Sequence, residues 1–230
     1  RTMGRDRCAW VSIEHQRLHG LVAARPRGGR SAWEIDSLID AAPSSDALPG
    51  LIDSALVGIG EHGGEKLFVR LSAGDNDLIE TFRDAGFASY REETLYARAG
   101  TPTVVDVTDL QPALPSDDYP GFRLYSSVVP EVQRRVEAVT FSEWHAAQER
   151  RWLKGGGVEL VQQRDGHLSA WASAARLPWG TLVCLTADTT SSREAEAIVA
   201  AAASRAGNGK PLYVLVSHDD ETVARRLEEA

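Results

Sequence analysis

Residues 66–98 constrain the fold of this chain more than any other part of the sequence. The segment begins with an apolar run typical of a strand, continues with a helical pattern that ends on Gly86 and Phe87, and closes with a second strand-like run. Residues 211–230 repeat this order in a shorter copy that stops before a Gly-Phe pair would come. Because identity between the copies is low, the repeated order of elements carries the prediction of a duplicated fold.

The composition is that of an ordinary globular protein. The 230 residues are 43% hydrophobic and 25% charged, which allows one or two domains. The net charge of -8 is spread over both halves without a basic cluster, so nucleic acid and membrane surfaces are not expected as partners. No apolar run is long enough to span a membrane and no signal peptide is visible, so we expect a cytoplasmic protein. Cys8 and Cys184 lack metal-ligand spacing, so we expect buried thiols and no metal site.

The first half, residues 1–98, is predicted to begin with an antiparallel meander and to end with the strand–helix–strand segment. Alternating apolar positions predict the three meander strands, and a helical period predicts a helix after them. Asp75 or Asn76 would cap the second helix, which Gly86 ends. The predicted elements are, in order, strands at 7–16, 17–24 and 31–39, a helix at 50–60, a strand at 66–71, a helix up to 85 and a strand at 88–97.

Residues 99–120 are predicted to be a proline-containing linker with one short strand at 103–107, and residues 121–230 form the second half. An Asp165-Gly166 pair between two alternating runs predicts a hairpin. A helix at 130–148 is expected to bury Val132, Val136, Val139 and Phe141. The other predicted elements are strands at 121–127, 158–164, 168–175, 181–187 and 211–217, and helices at 192–206 and 221–230.

This order of meander, helix, strand, helix, Gly-Phe and strand resembles the fold of the GNAT (GCN5-related N-acetyltransferase) superfamily, and two such halves resemble its tandem members. The resemblance implies a mixed α/β (α+β) protein with two GNAT-like halves, each a mostly antiparallel central sheet flanked by helices. The first half would lack its first strand and helices, and the second half its last strands, so we expect segments to be missing at both ends.

The resemblance implies an N-acetyltransferase that transfers an acyl group from acetyl-CoA to an amine of a small molecule or peptide, and it leaves room for a homodimer. In this family acyl-CoA lies where the fourth and fifth strands splay apart, here 32–39 with 66–71 and 181–187 with 212–217. The pyrophosphate sits at the start of the following helix, where the helix dipole favours an anion. The implied CoA-binding residues of the second half are Leu185, Ala187, Thr189, Thr190, Ser191, Ser192 and Arg193. A plain N-cap at Ser191 or Ser192 is the alternative role for this helix start.

The sequence departs from the family pattern at several functional positions. Neither half has the glycine-containing phosphate loop. Where many members have a tyrosine that protonates the leaving thiolate, this chain has Phe82 and Leu227, which have no proton to give. Where an asparagine is common, it has Asp75 and Asp220. These departures favour a second hypothesis, a GNAT-fold binding or structural module without CoA turnover.

Two residues are the predicted catalytic groups. Glu34 lies on the implied fourth strand of the first half, where a carboxylate can deprotonate the acceptor amine. Tyr96, like Tyr90, would flank the gap of that half. The alternatives are an exposed carboxylate for Glu34 and a core position for Tyr96. His145 is expected to pack or cap its helix.

Overall fold

The computed structural model describes residues 7–27, 31–41, 47–98, 110–148, 157–188, 192–207 and 211–217, without the side chains of Ser192 and Arg193. It divides into two compact units, Arg1–Ser89 (unit 1) and Tyr90–Ala230 (unit 2). Each unit contains one sheet flanked by helices, and this confirms the predicted mixed α/β class.

Unit 1 contains a four-stranded sheet in the order β1-β2-β3-β4. The meander is confirmed, because β1 pairs with β2 and β2 with β3 in antiparallel fashion, while β4 adds to β3 as a parallel strand. The strands are Cys8–Glu14 (β1), Arg17–Pro26 (β2), Ala32–Asp40 (β3) and Lys66–Val69 (β4).

Two helices, Ala47–Glu61 (α1) and Asn76–Asp84 (α2), pack on one face of this sheet. The helical period of α1 buries Ile52 and Ala55 against Trp33 and Ile35 of β3. Asp75 caps α2, since its carboxylate accepts a hydrogen bond from the backbone N–H of Leu78 at 3.2 Å. Gly86 follows the helix with φ of +92°, the left-handed conformation that commonly ends a helix.

Unit 2 contains a six-stranded sheet in the order β5-β10-β9-β8-β7-β6. β9 and β10 are parallel, and all other neighbours are antiparallel. The predicted hairpin is present, and Asp165 and Gly166 form its two-residue turn with φ of +52° and +75°. The strands are Glu93–Arg98 (β5), Leu110–Pro112 (β6), Val158–Arg164 (β7), His167–Leu177 (β8), Gly180–Ala187 (β9) and Leu212–Ser217 (β10).

The strand after Gly86 does not join the first sheet. The sequence placed it in the first half, whereas β5 pairs with β10 over its whole length, from Glu93 opposite Ser217 to Arg98 opposite Leu212. The boundary between the compact units accordingly follows Ser89 rather than residue 98. β5 thereby covers an edge of β10 whose backbone groups would otherwise lack strand partners.

The prediction of a strand at 121–127 is wrong, because Asp118–Val128 forms a helix (α3). Its buried residues, Gly121, Leu124 and Tyr125, follow helical spacing, which the alternation of Phe122 and Leu124 concealed. Pro120 is tolerated since the backbone N–H groups of the first helical turn have no partner inside the helix.

The single helix expected at 130–148 is two helices, Glu131–Glu137 (α4) and Phe141–Ala147 (α5). A capping box between Thr140 and Glu143 starts α5 and interrupts the helical period. The expected burial of three of its residues is wrong, since the side chains of Val132, Val139 and Phe141 are exposed.

The predicted linker is ordered at its end, where residues 110–112 form β6 beside β7. The strand expected at 103–107 and the helix expected at 221–230 lie outside the described residues.

Helices cover both faces of the second sheet. Ser192–Ala206 (α6) agrees with the predicted helix, and its small side chains pack closely on the apolar face of β8, β9 and β10. On the other face, Tyr125 of α3 and Trp144 of α5 form a core with Trp171 of β8. A Cβ atom at Gly121 would lie 2.6 Å from the Trp171 ring, so α3 reaches the sheet only with glycine there.

Candidate functional site

The parallel strands of unit 2 separate before either of them ends. β9 and β10 are paired from Thr181 and Leu212 to Cys184 and Leu215. Beyond that point β9 continues to Ala187 along β8, and β10 continues to Ser217 along β5. We call this opening the second gap. Along the second gap, β9 and β10 no longer form hydrogen bonds with each other. The backbone groups that face the gap can therefore pair with an extended ligand.

A related opening exists in unit 1, and we call it the first gap. β3 and β4 are paired as far as Ile35 and Val69, where β4 ends, and β3 alone continues to Asp40. The register of β3 against β2 shifts at this point, from Ile35 opposite Ala24 to Ser37 opposite Ala23. The extra residue, Asp36, forms a β-bulge, which leaves a residue unpaired in the ladder.

Ile35 and Val183 occupy matching positions beside the two gaps. Ile35 of β3 is paired with Val69, and Val183 of β9 is paired with Val214. Both pairs lie at or next to the last rung before the strands part.

Leu185 and Ala187, predicted to contact CoA, lie on β9 directly beyond the last rung shared with β10. Both side chains are half-buried against the core under α6. Thr186 alternates to the opposite face, where its partner on β8 is Trp171.

Tyr96 lies in unit 2, since it pairs with Val214 of β10. Its ring packs against the core under α6, on the same sheet face as Leu185 and Ala187. The expectation that Tyr96 and Tyr90 flank the gap of the first half is wrong, because both residues belong to unit 2.

Glu34 lies in unit 1 within a cluster of ion pairs. Its carboxylate accepts a hydrogen bond from Arg25 at 2.8 Å, and only 12% of the side chain is exposed. The neighbouring Asp36 accepts from Arg7 at 2.8 Å and lies 3.6 Å from Arg25. The alternative of an exposed, solvated carboxylate is therefore wrong for Glu34. The Arg25 guanidinium therefore occupies part of the Glu34 carboxylate.

Of the predicted phosphate-binding residues, Thr189, Thr190 and Ser191 lie outside the described residues, as do the side chains of Ser192 and Arg193. The described first turn of α6 contains Glu194, which forms an ion pair with Arg164 at the end of β7. The hydrogen bond and charge of Glu194 raise the pKa of the Arg164 guanidinium. Arg164 thus places a cation beside the start of α6.

A buried polar network in unit 2 was not found from the sequence. Glu137 of α4 accepts hydrogen bonds from Tyr90 at 3.3 Å, Arg91 at 3.1 Å and Tyr125 at 3.2 Å. Arg91 also forms an ion pair with Glu93 at 3.0 Å. The run Arg91-Glu92-Glu93 before an apolar strand is a signal that could have indicated it.

This network changes the acidity of two of its members. Burial acts to lower the pKa of Arg91, but the charges of Glu93 and Glu137 outweigh it, so the pKa is raised. Burial first and Glu137 second raise the pKa of Tyr125 well above its ordinary value. At neutral pH the network therefore contains a guanidinium cation and a protonated Tyr125.

Phe82, His145 and two tryptophans have structural positions. Phe82 is 2% exposed in the core of unit 1 and stacks edge-on with Phe87. His145 contacts Asp118 with 3.2 Å between Nε2 and Oδ2. Trp171 is buried in the core between α3, α5 and β8, and Trp179 is exposed and stacks on Tyr213.

Within the described ranges, no helix has the length and apolarity that crossing a membrane requires. The same part of the chain contains no group of three or more His, Cys, Asp or Glu residues that could hold a metal ion.

Comparison of the sequence with protein-family models and with curated proteins gives no match. Solved structures similar to this chain include a GCN5-related N-acetyltransferase from Sphaerobacter thermophilus, with a TM-score of 0.61 and 12% identity over 98% of this chain and 76% of that one.

They also include a tandem GNAT protein from the clavulanic acid biosynthesis pathway, with a TM-score of 0.57 and 13% identity over 98% of this chain and 80% of that one. A putative acetyltransferase from Pyrococcus horikoshii has a TM-score of 0.58 and 10% identity over 96% and 67% of the two chains. At these identities the similarity concerns the fold, and this chain has the fold of the GNAT acetyltransferases.

Proposed function

We propose that this chain transfers an acyl group from acetyl-CoA to an amine of a small molecule or peptide, with acetyl-CoA bound in the second gap. The observation that carries the proposal is the separation of β9 and β10 beyond Cys184 and Leu215. Backbone groups beside Leu185 and Ala187 would pair with the amides of the pantetheine arm. Thr189, Thr190, Ser191, Ser192 and Arg193 would bind the phosphates at the start of α6, where the helix dipole favours an anion.

The transfer needs little side-chain chemistry once the reactants are aligned. The ammonium of the acceptor loses a proton to solvent, and its nitrogen attacks the thioester carbonyl carbon to form the C–N bond. The nitrogen of the tetrahedral intermediate loses a second proton to solvent, the intermediate collapses with cleavage of the C–S bond, and the CoA thiolate takes a proton. Tyr96, one strand away from the second gap, is the candidate donor of that proton and would recover it from solvent.

Glu34 is the corresponding candidate base for the first gap. It lies one residue before Ile35, the last residue of β3 that pairs with β4. Because Glu34 belongs to unit 1 and Tyr96 to unit 2, substitutions of the two residues test the two gaps separately.

A second candidate function is CoA binding without turnover. The observation that favours it is the burial of Phe82 in a core, at the position where many GNAT members have a proton-donating tyrosine. The ion pair between Glu34 and Arg25, which already engages the carboxylate of the candidate base, also favours this function.

Calorimetric titration of the full chain with acetyl-CoA, followed by measurement of thiol release with a panel of primary amines, tests these functions. Saturable binding with amine-dependent thiol release supports acyl transfer. Binding without thiol release supports the second candidate. Absence of binding at millimolar acetyl-CoA would contradict both.

A further inference from the structure

Polar side chains lie at the described end of the second gap, on the sheet face opposite α6. Ser217 of β10 and Glu93 of β5 are directly opposite each other in the antiparallel ladder. Leu212, Val214 and Val216 belong to the core under α6. Since side chains alternate along a strand, Ser217 and its partner Glu93 face the other side, with Cβ atoms about 5 Å apart.

The hydroxyl of Ser217 is buried and meets no hydrogen-bond partner among the described residues. A buried hydroxyl in that state is unfavourable, and native structures satisfy most such groups with protein, water or a ligand. Ser217 ends the stretch of β10 that has already parted from β9. A hydrogen-bond donor bound at this end of the gap, on the side opposite α6, would supply the partner that the hydroxyl lacks.

The carboxylate of Glu93 is fixed in position by a chain of contacts. Arg91 binds Glu93 at 3.0 Å and Glu137 at 3.1 Å, so its guanidinium connects the two carboxylates. Tyr90 and Tyr125 hold Glu137 from two further directions. The side chains of Glu93 and Glu137 are only 13% and 9% exposed, a setting in which charge interactions are stronger than in water.

We propose that Ser217 and Glu93 form the subsite that binds the ammonium group of the acyl acceptor, with Arg91 and Glu137 as positioning residues. This inference rests on the proposed acyl transfer at the second gap. An ammonium donates three hydrogen bonds, and an ionised carboxylate has about four acceptor positions, so Glu93 can bind it while it remains paired with Arg91. The Ser217 hydroxyl accepts a second of these hydrogen bonds.

The neighbouring residues define the acceptor further. Leu95 and Leu215 form the next rung that faces the same side of the sheet, and Leu95 is 51% exposed. An apolar group attached to the ammonium would cover this surface and remove it from water. The subsite therefore fits a primary amine with one positive charge and an apolar tail, such as an arylalkylamine.

Calorimetric titration of the full chain with phenethylamine, in the absence and presence of acetyl-CoA, tests the subsite. We expect saturable binding to the unsubstituted protein and none with 2-phenylethanol, which has the same tail and no charge. Ser217→Ala is expected to weaken binding roughly fivefold, and Glu93→Gln at least roughly tenfold, because a charged hydrogen bond is lost. Glu137→Gln is expected to weaken binding by less than Glu93→Gln, since it acts through Arg91.

Ser54→Ala and Glu80→Gln, exposed residues of α1 and α2, are matched controls that should bind as the unsubstituted protein does. Thermal unfolding of every variant checks folding. If Glu93→Gln unfolds, Glu93→Asp replaces it in the test. This variant keeps the charge and should retain part of the affinity of the unsubstituted protein for phenethylamine.

Absence of phenethylamine binding to the unsubstituted protein would overturn the subsite, even when acetyl-CoA binds. Equal affinity of the unsubstituted protein, Ser217→Ala and Glu93→Gln for phenethylamine would overturn it as well. Ser217-dependent amine binding without any acetyl-CoA binding contradicts the proposed acyl transfer and leaves the amine site standing.

Discussion

The hydroxyl of Tyr125 donates a hydrogen bond to the carboxylate of Glu137 at 3.2 Å and joins α3 to α4. Both side chains are buried or nearly so, and the same carboxylate binds Arg91 just before β5. Three separate segments of unit 2 therefore depend on one carboxylate, and loss of its charge would leave buried donors without a strong acceptor.

The acidity of Tyr125 predicts a change in stability at alkaline pH. Its pKa is raised above the ordinary 10.0 in the folded protein, so between these values the folded state keeps a proton that the unfolded chain has lost. The contribution to stability is complete below pH 10.0 and is lost as the pH rises through the folded pKa. Urea unfolding between neutral and alkaline pH should show this decline.

In Tyr125→Phe the alkaline decline in the free energy of unfolding should be shallower, although the variant is less stable at neutral pH. Tyr119→Phe is the control, since Tyr119 is exposed and should leave the decline unchanged. Equal slopes for the unsubstituted protein and Tyr125→Phe would contradict the raised pKa.

Tyr96→Phe and Glu34→Gln distinguish the two gaps by kinetics. If the second gap carries the transfer, Tyr96→Phe should lower kcat by about 100-fold, since general acid catalysis typically contributes that much. Glu34→Gln should lower kcat by a smaller factor, because the Glu34 carboxylate is already engaged in an ion pair with Arg25. Steady-state thiol release at saturating acetyl-CoA measures both, with Tyr213→Phe and Glu14→Gln as controls. A larger effect of Glu34→Gln would assign the transfer to the first gap.

Arg193→Ala is expected to weaken acetyl-CoA binding by about tenfold, the loss of one charge-assisted hydrogen bond to a phosphate. The difference should shrink at high salt, because ions screen exposed charges. Calorimetry at low and high salt measures it, with Arg83→Ala of α2 as the control for loss of an exposed arginine. Binding that is unaffected by Arg193→Ala would reject this residue as a phosphate ligand.

Gly121→Ala should destabilise unit 2 by about 1–3 kcal/mol, the usual effect of forcing extra atoms into a packed core. The added methyl would lie 2.6 Å from the Trp171 ring and 3.0 Å from the Trp144 ring. Gly50→Ala in α1 meets nothing within 4 Å and should stabilise by about 0.5–1 kcal/mol through helix propensity. Denaturant unfolding of both variants measures the contrast, and a neutral Gly121→Ala would contradict the described packing of α3.

Local signals in the sequence predicted the elements whose stability depends on nearby residues. The Asp165-Gly166 turn sets the hairpin register, and Asp75 and Gly86 delimit α2, because turns and caps are determined by a few neighbouring residues. The candidate site was predicted only in part. Leu185 and Ala187 lie where the strands separate, whereas Ser217, Glu93 and Glu137 come from distant positions and escaped notice.

Local patterns along the chain are enough to predict the order of most elements and the resemblance to two GNAT-like halves. The helix at residues 118–128 and the pairing of β5 with β10 in unit 2 depend on contacts between distant residues. An alternating apolar pattern of a few residues suits a strand or a helix face equally, and burial against Trp171 favours the helix. Similarly, the residues of a strand do not indicate which sheet it joins, because it can pair with any sheet edge that has unpaired backbone groups.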